Sequence, residues 1–159
     1  RLSRTAENVA RRLETSLIEG PHYETFEHTA DIGLYLYGRS LSELFEAAVK
    51  AVLELSAGGE GVEARQSRRM DLSAESTEAL LRAWLAEIVY LMNVERWLTV
   101  RVEIKEFSPT ALSVVLEGER LDPARHELAL EIKAVTWHRL KIEPDQRPGW
   151  FRATVVLDV

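Results

Sequence analysis

A change of hydrophobic period decides the fold of this chain, at residues 31–58, which read DIGLYLYGRSLSELFEAAVKAVLELSAG. Up to Gly38, apolar residues occupy every second position, which is typical of a half-buried strand. Ser40 then stands three residues before Glu43, the spacing of a helix capping box. The apolar residues that follow lie on one helical face: Leu41, Leu44, Phe45, Ala48, Val52 and Leu55. The stretch predicts a strand followed directly by an amphipathic helix.

The chain beyond this stretch repeats both patterns. Ser76 is placed to cap a second helix, whose apolar face comprises Leu81, Trp84, Leu85, Ile88 and Met92. Alternating apolar residues predict strands near 69–72, on both sides of a turn at 108–110, at 128–132 and at 151–157. This order predicts a single α+β domain, in which two main helices pack against a largely antiparallel sheet.

The first twenty residues carry a separate amphipathic pattern. Val9, Leu13 and Leu17 recur every four residues, and Gly20 with Pro21 stops the repeat. We expect an N-terminal helical extension over residues 1–20 and one domain over residues 21–159. The apolar stripe of the extension packs either on the domain or on another chain, and we assign it no chemistry.

Composition narrows the classes of protein to consider. The 159 residues are 46% hydrophobic and 29% charged, the balance of a globular domain, and the formal net charge is −6. That charge repels phosphate backbones, so nucleic acid is not the first partner to expect. The absence of cysteine excludes disulfides and thiolate zinc sites, and no apolar run approaches the ~20 residues of a membrane span. We expect a cytoplasmic protein that does not contact membranes.

Two acidic positions near strand ends are the first candidates for chemistry. His28 and Asp31 precede an apolar strand, and Asp158 ends the last predicted strand, next to Val159. If the strands of Asp31 and Asp158 are neighbours, two carboxylates with main-chain oxygens form a site suited to Ca²⁺, Mg²⁺ or Mn²⁺. The alternative is that His28 and Asp31 form a turn and that Asp158 is solvated at a frayed strand end.

A third candidate is the segment KAVTWH at residues 133–138, hereafter the late segment, which we expect to lie in a strand of the sheet. Lys133 is suited to contact a phosphate or to balance the carboxylates, and His138 is suited to act as ligand, acid or base. The alternative is a solvated lysine and a hydrogen-bonded histidine. The signatures of serine hydrolases, zinc proteases and phosphate-binding loops do not occur in the sequence.

In their order, these segments resemble the archease family, the small partner proteins of RtcB-type RNA ligases. The resemblance runs from about Tyr23 to Val159. It rests on HTADIG at 28–33, SLSELF at 40–45, the helix at 81–91, the late segment and LDV at 157–159. Trp137 stands where the family usually has a tyrosine. Residues 1–20 have no counterpart in it.

The resemblance implies an SHS2-like fold and a non-catalytic activator that promotes GTP-dependent guanylylation and multiple turnover of the ligase. It implies that Asp31, Lys133 and Asp158 are essential for activation, with His28 and His138 in supporting roles. The metal ligands it implies are Asp31, Asp158 and a backbone or terminal oxygen of Val159, with Ca²⁺ the favoured ion and Mg²⁺ or Mn²⁺ the alternatives. RNA is then reached only through the ligase.

Two other functions remain open at this point. A stand-alone metal-dependent phosphoester hydrolase would use Asp31, Asp158, His28 and His138. A chaperone-like adaptor would make its contact through the leading helix instead.

Overall fold

The structure is a computed structural model that describes residues 18–28, 31–58 and 60–159. Its strands are β1 (His22–His28), β2 (Asp31–Gly38), β3 (Gln66–Ser73), β4 (Trp97–Ser108), β5 (Ala111–Arg120), β6 (Ala134–Val135), β7 (Lys141–Pro144) and β8 (Phe151–Asp158). Its two helices are α1 (Leu41–Ala57) and α2 (Thr77–Asn93). The helix predicted over residues 1–20 lies, as far as residue 17, outside the described residues. Residues 18–20 form no helix or strand.

The strands form two antiparallel sheets, so the prediction of one sheet is wrong. The first sheet has the order β1-β2-β8-β6, and β7 also pairs with β8. The second has the order β3-β5-β4. The α+β class, the two helices and the antiparallel pairing are as predicted. The number of sheets differs because α1 is apolar on more than one face.

Helix α1 is buried on almost every side. Its buried residues are Leu44, Phe45, Ala47, Ala48, Val49, Ala51, Val52, Leu53 and Ser56. It packs against β1, β2 and β8 of the first sheet, β4 of the second, and α2. A helix with so little polar surface requires apolar partners on both sides, and a sheet on each side supplies them.

The ends and the packing of α1 follow from named side chains. Ser40 Oγ accepts the main-chain N–H of Glu43 at 3.2 Å, as the capping box predicts. Gly58 ends the helix at φ 74°, a left-handed conformation that glycine adopts without strain. The buried Trp84 of α2 donates its indole N–H to the carbonyl of Phe45 at 2.9 Å. This bond satisfies the indole inside the apolar core.

The predicted strand at 128–132 is also wrong. Leu128 is 36% exposed, and no strand covers these residues. The main chain is satisfied by the helices instead: Ala129 N–H donates to the carbonyl of Ser56, and Asn93 Nδ2 donates to the carbonyl of Ile132. Only Ile132 of the alternating residues is fully buried. Strand β7 was not predicted, because its four residues are too few for a readable alternation.

A buried polar cluster joins the segment after α1 to the end of β5. Glu119, which is 4% exposed, accepts hydrogen bonds from the guanidinium of Arg125 and the N–H of Glu63. His126 Nδ1 accepts the N–H of Asp122, so its proton is on Nε2, which lies 3.1 Å from the carbonyl of Gly61. Burial raises the pKa of Glu119, but its hydrogen bonds to Arg125 and Glu63 outweigh burial and hold the pKa below its ordinary value.

We predict that Gly118→Ala destabilises the second sheet. A Cβ at this position of β5 would lie 1.9 Å from the carbonyl oxygen of Leu98, and a main-chain atom yields only if the strand moves. Overpacking of this kind costs about 1 to 3 kcal/mol, to be measured as a lower free energy of unfolding in urea. Gly20→Ala is the control, because nothing lies within 4 Å of its Cβ position. Equal stability of the two variants would contradict the close approach of Leu98.

We also predict that Glu119 makes the fold sensitive to acid. A carboxyl with a depressed folded pKa stabilises the fold above its unfolded pKa, and the stabilisation is lost as pH falls through the folded value. The free energy of unfolding should therefore fall as pH decreases below about 4.5, the ordinary value for Glu119. Glu119→Gln should show a weaker fall, measured by urea denaturation between pH 6 and pH 3. Glu127→Gln, at an exposed position nearby, should follow the wild type.

Candidate functional site

The candidate site lies where four strands of the first sheet end side by side. In β1 and β2, His28 pairs with Asp31, and the pairing of β2 with β8 runs to Ile32 and Leu157. Asp31 and Asp158 are therefore the next residues on two neighbouring strands. Side chains at directly opposed positions have Cβ atoms about 5 Å apart and point to the same face. The sequence analysis expected the two carboxylates to share a site if their strands are neighbours. The pairing of β2 with β8 confirms that the strands are neighbours.

The late segment joins the same end of the sheet. Ala134 of β6 pairs with Asp158, and the N–H of Lys133 donates to the carbonyl of Asp158 at 2.8 Å. Lys133 is exposed, and within the described part of the chain it forms no ion pair. The site therefore holds two partly buried aspartates and a cation that no carboxylate in those residues neutralises.

The other predicted site residues stand as follows. The backbone of His28 ends β1 at the site, and its side chain lies outside the described part of the structure, as do Thr29 and Ala30. Val159 follows Asp158 and is partly buried against the core. His138 lies beyond β6 and is exposed; its N–H donates to Thr136 Oγ1. The expectation that all of residues 133–138 lie in a strand is wrong, because only Ala134 and Val135 pair with β8 as β6.

Side chains of α2 brace the late segment from the other side. Asn93 Nδ2 donates to the carbonyl of Ile132 at 2.8 Å, and Arg82 Nε donates to the carbonyl of Val135 at 3.0 Å. These two bonds flank Lys133. Sequence reasoning missed both donors, because a polar residue at the edge of a helical stripe gives no sign of which carbonyl it meets.

Gly33, the last residue of the HTADIG segment at 28–33, has a packing role that the sequence does not reveal. A Cβ at Gly33 would lie 2.2 Å from the ring of Phe26, which packs directly over this position. The guanidinium carbon of Arg139 lies 5.5 Å from the centroid of the same ring. Arg139 has φ 56°, a left-handed conformation that costs a non-glycine residue energy. Phe26 and Arg139 thus cover the outer face of the sheet next to the aspartates.

The oxygen atoms at this site are of the type that binds a hard divalent cation, but the described residues supply few of them. Carboxylate and main-chain oxygens are the ligands that Ca²⁺, Mg²⁺ and Mn²⁺ prefer. Among the residues described, no group of three or more His, Asp and Glu side chains comes together as a metal site. Two aspartates therefore fit a metal only with further oxygens from the main chain, from water or from a second molecule.

Two other features of the surface lie outside this site. A cleft of about 620 Å³ between α1 and β4 is lined by apolar and charged residues and contains none of the motif residues. Neither helix in the described ranges is long and apolar enough to cross a membrane.

Comparison with known proteins identifies the family. The model of the Archease protein family (MTH1598/TM1083) matches residues 23–159. The chain is 32% identical over 145 residues to protein archease of Methanosarcina mazei, covering 89% of this chain and 98% of that protein. It is 38% identical over 143 residues to protein archease of Pyrococcus abyssi, covering 86% and 98%.

A solved structure shares the fold as well. The solution structure of protein 1598 of Methanobacterium thermoautotrophicum matches with a TM-score of 0.71 at 32% identity, covering 89% of this chain and 100% of that one. The match of the family model, the sequence identities and the shared fold all give the same result: this chain belongs to the archease family.

Proposed function

We propose that this protein is a metal-binding, non-catalytic activator of an RtcB-type RNA ligase, and that it acts in the cytoplasm. It promotes the GTP-dependent guanylylation of the ligase and its multiple turnover in tRNA splicing and RNA repair. The observation that carries the proposal is the register of β2, β8 and β6. That register sets Asp31 and Asp158 at opposed positions and bonds the main chain of Lys133 to Asp158.

The aspartates are proposed to hold a divalent cation with the main-chain oxygen of Val159. Ca²⁺ is the favoured ion, and Mg²⁺ and Mn²⁺, which also prefer oxygen ligands, are the alternatives. When bound, such a cation supplies positive charge that stabilises phosphate oxygens. With two carboxylates from the described residues, the coordination leaves room for oxygens of the partner or the nucleotide. A site of this kind suits an activator that works inside another protein's cleft.

Lys133 is proposed to contact the phosphates of the nucleotide that the ligase uses. Its ammonium forms no ion pair within the described residues, so it does not serve to neutralise Asp31 or Asp158 there. An exposed cation whose backbone is fixed by Asp158, and whose neighbours are bonded to Asn93 and Arg82, is well placed to meet an external anion. RNA is reached only through the ligase, consistent with the net charge of −6.

The aspartates are tested by substitutions that remove charge and keep shape. We expect Asp31→Asn and Asp158→Asn each to reduce guanylylation and successive ligations to the rate of the ligase alone, and to weaken Ca²⁺ binding in calorimetry. Asp71→Asn is the matched control, because Asp71 is exposed on β3 of the second sheet. Full stimulation by a folded double variant at 31 and 158 would refute the proposal.

Lys133 is tested by separating its charge from its shape. Lys133→Met should reduce the stimulated guanylylation rate by about a hundredfold, because a group that stabilises anionic oxygens is lost. Lys133→Arg keeps the charge and should retain most of the stimulation. If the arginine variant is as inactive as the methionine variant, the electrostatic role is wrong and the geometry of the amine is what matters.

A further inference from the structure

An exposed tryptophan and an arginine form a fixed pair beside the acidic strand ends. Trp137 is 61% exposed, and the guanidinium carbon of Arg82 lies 4.4 Å from the centroid of its ring. Arg82 also donates through Nε to the carbonyl of Val135. The stacking contact and the hydrogen bond hold both side chains in one arrangement, so little side-chain entropy remains to be lost on binding. We refer to these two residues as the Arg82–Trp137 pair.

The charge of this pair is not neutralised within the described residues. Arg82 forms no ion pair there, although many other arginines do: Arg65, Arg68, Arg101, Arg125, Arg147 and Arg152. Nε of Arg82 is already bonded to Val135, which leaves the terminal nitrogens as donors for an external acceptor. A guanidinium presents a planar donor set that matches a carboxylate. The pair therefore offers an apolar surface and a carboxylate-binding group side by side.

The pair is also continuous with the candidate site. Trp137 is four residues beyond Lys133 in the same segment. The N–H of Thr136, its immediate neighbour, donates to the carbonyl of Val156 in β8. A protein that contacts Trp137 is thereby held next to Lys133 and the two aspartates. Tryptophan and arginine are, with tyrosine, the residue types enriched among the contacts that dominate binding energy in protein interfaces.

We propose that the Arg82–Trp137 pair is the docking contact for the ligase, which presents an apolar side chain to the indole and a carboxylate to the guanidinium. This inference rests on the proposed function. It assigns affinity to the pair and stimulation to the aspartates and Lys133. A protein partner is favoured over RNA, because a chain with a net charge of −6 gains little from phosphate backbones.

The experiment measures affinity and stimulation separately. The labelled full-length protein is titrated with the ligase in a fluorescence anisotropy assay, and guanylylation is followed against activator concentration. Trp137→Ala should raise both the dissociation constant and the half-stimulating concentration about thirtyfold, with an unchanged plateau. Arg82→Met should raise both about tenfold, and Arg82→Lys, which keeps the charge, should raise them less.

Each control removes the same kind of group at a place remote from the pair. Val94→Ala removes an apolar side chain that is also 61% exposed, at the far end of α2. Arg69→Met removes an exposed arginine on the second sheet. Both should bind and stimulate as the wild type does. Thermal unfolding by circular dichroism should show that Trp137→Ala is folded, since its side chain is mostly solvent-exposed.

Each outcome separates the docking inference from the proposed function. Wild-type affinity of Trp137→Ala, with stimulation that still depends on Asp158, overturns the docking contact and leaves the proposed function standing. Binding that depends on Trp137 without stimulation by the wild type supports the contact and rejects the proposed function. Loss of affinity of Trp137→Ala for a labelled RNA oligonucleotide alone, with ligase binding unchanged, overturns the contact in favour of RNA.

Discussion

The pairing of β2 with β8 is the contact on which both the core and the candidate site depend. On the helix side of these strands, Leu34 opposes Val155, and both are fully buried. The next positions past the end of the ladder, Asp31 and Asp158, fall on the opposite face because side chains alternate along a strand. A slip of one residue would turn Leu34 outward and bring a carboxylate of one strand toward the core. Burying an unpaired carboxylate is far more costly than exposing one leucine. The apolar core therefore fixes where the aspartates lie.

How much of this fold is readable from sequence depends on whether a signal is local. The start of α1 was predictable, because Ser40 and Glu43 satisfy the first N–H groups through residues close in the chain. The division of the strands into two sheets was not predictable, because α1 has additional buried residues, such as Val49 and Leu53, whose partners are distant in sequence. The segment at 128–132 alternates like a strand, but its main chain bonds to α1 and α2 instead of to a sheet. Alternation indicates which side chains are apolar; it does not reveal which groups satisfy the backbone.

The same division applies to the site. The two aspartates could be identified as candidates from their places near strand ends, and their meeting required one further fact, that the two strands are neighbours. Lys133 could be identified as a residue type, but its bond to Asp158 depends on the register of a two-residue strand. Arg82 and Asn93 could not be found at all, since each acts on a carbonyl about forty to fifty residues away. Contacts made by side chains across the fold leave no period in the sequence.

The distribution of charge explains how an acidic protein can work next to anions. Many of its arginines are neutralised by carboxylates, and the protein as a whole repels phosphate. Lys133 and Arg82 differ, since neither forms an ion pair within the described residues. Lys133 belongs to the late segment, and Arg82 braces that segment through its bond to Val135. A cation already paired with a carboxylate must give up that partner to bind another, whereas an unpaired one need lose only water. Because no carboxylate of the described residues pairs with these two cations, positive charge stays available at one end of the sheet, with the two aspartates next to it. The proposed roles of docking and phosphate contact follow from this local exception to the overall charge, and the two aspartates beside it supply the ligands of the proposed metal site.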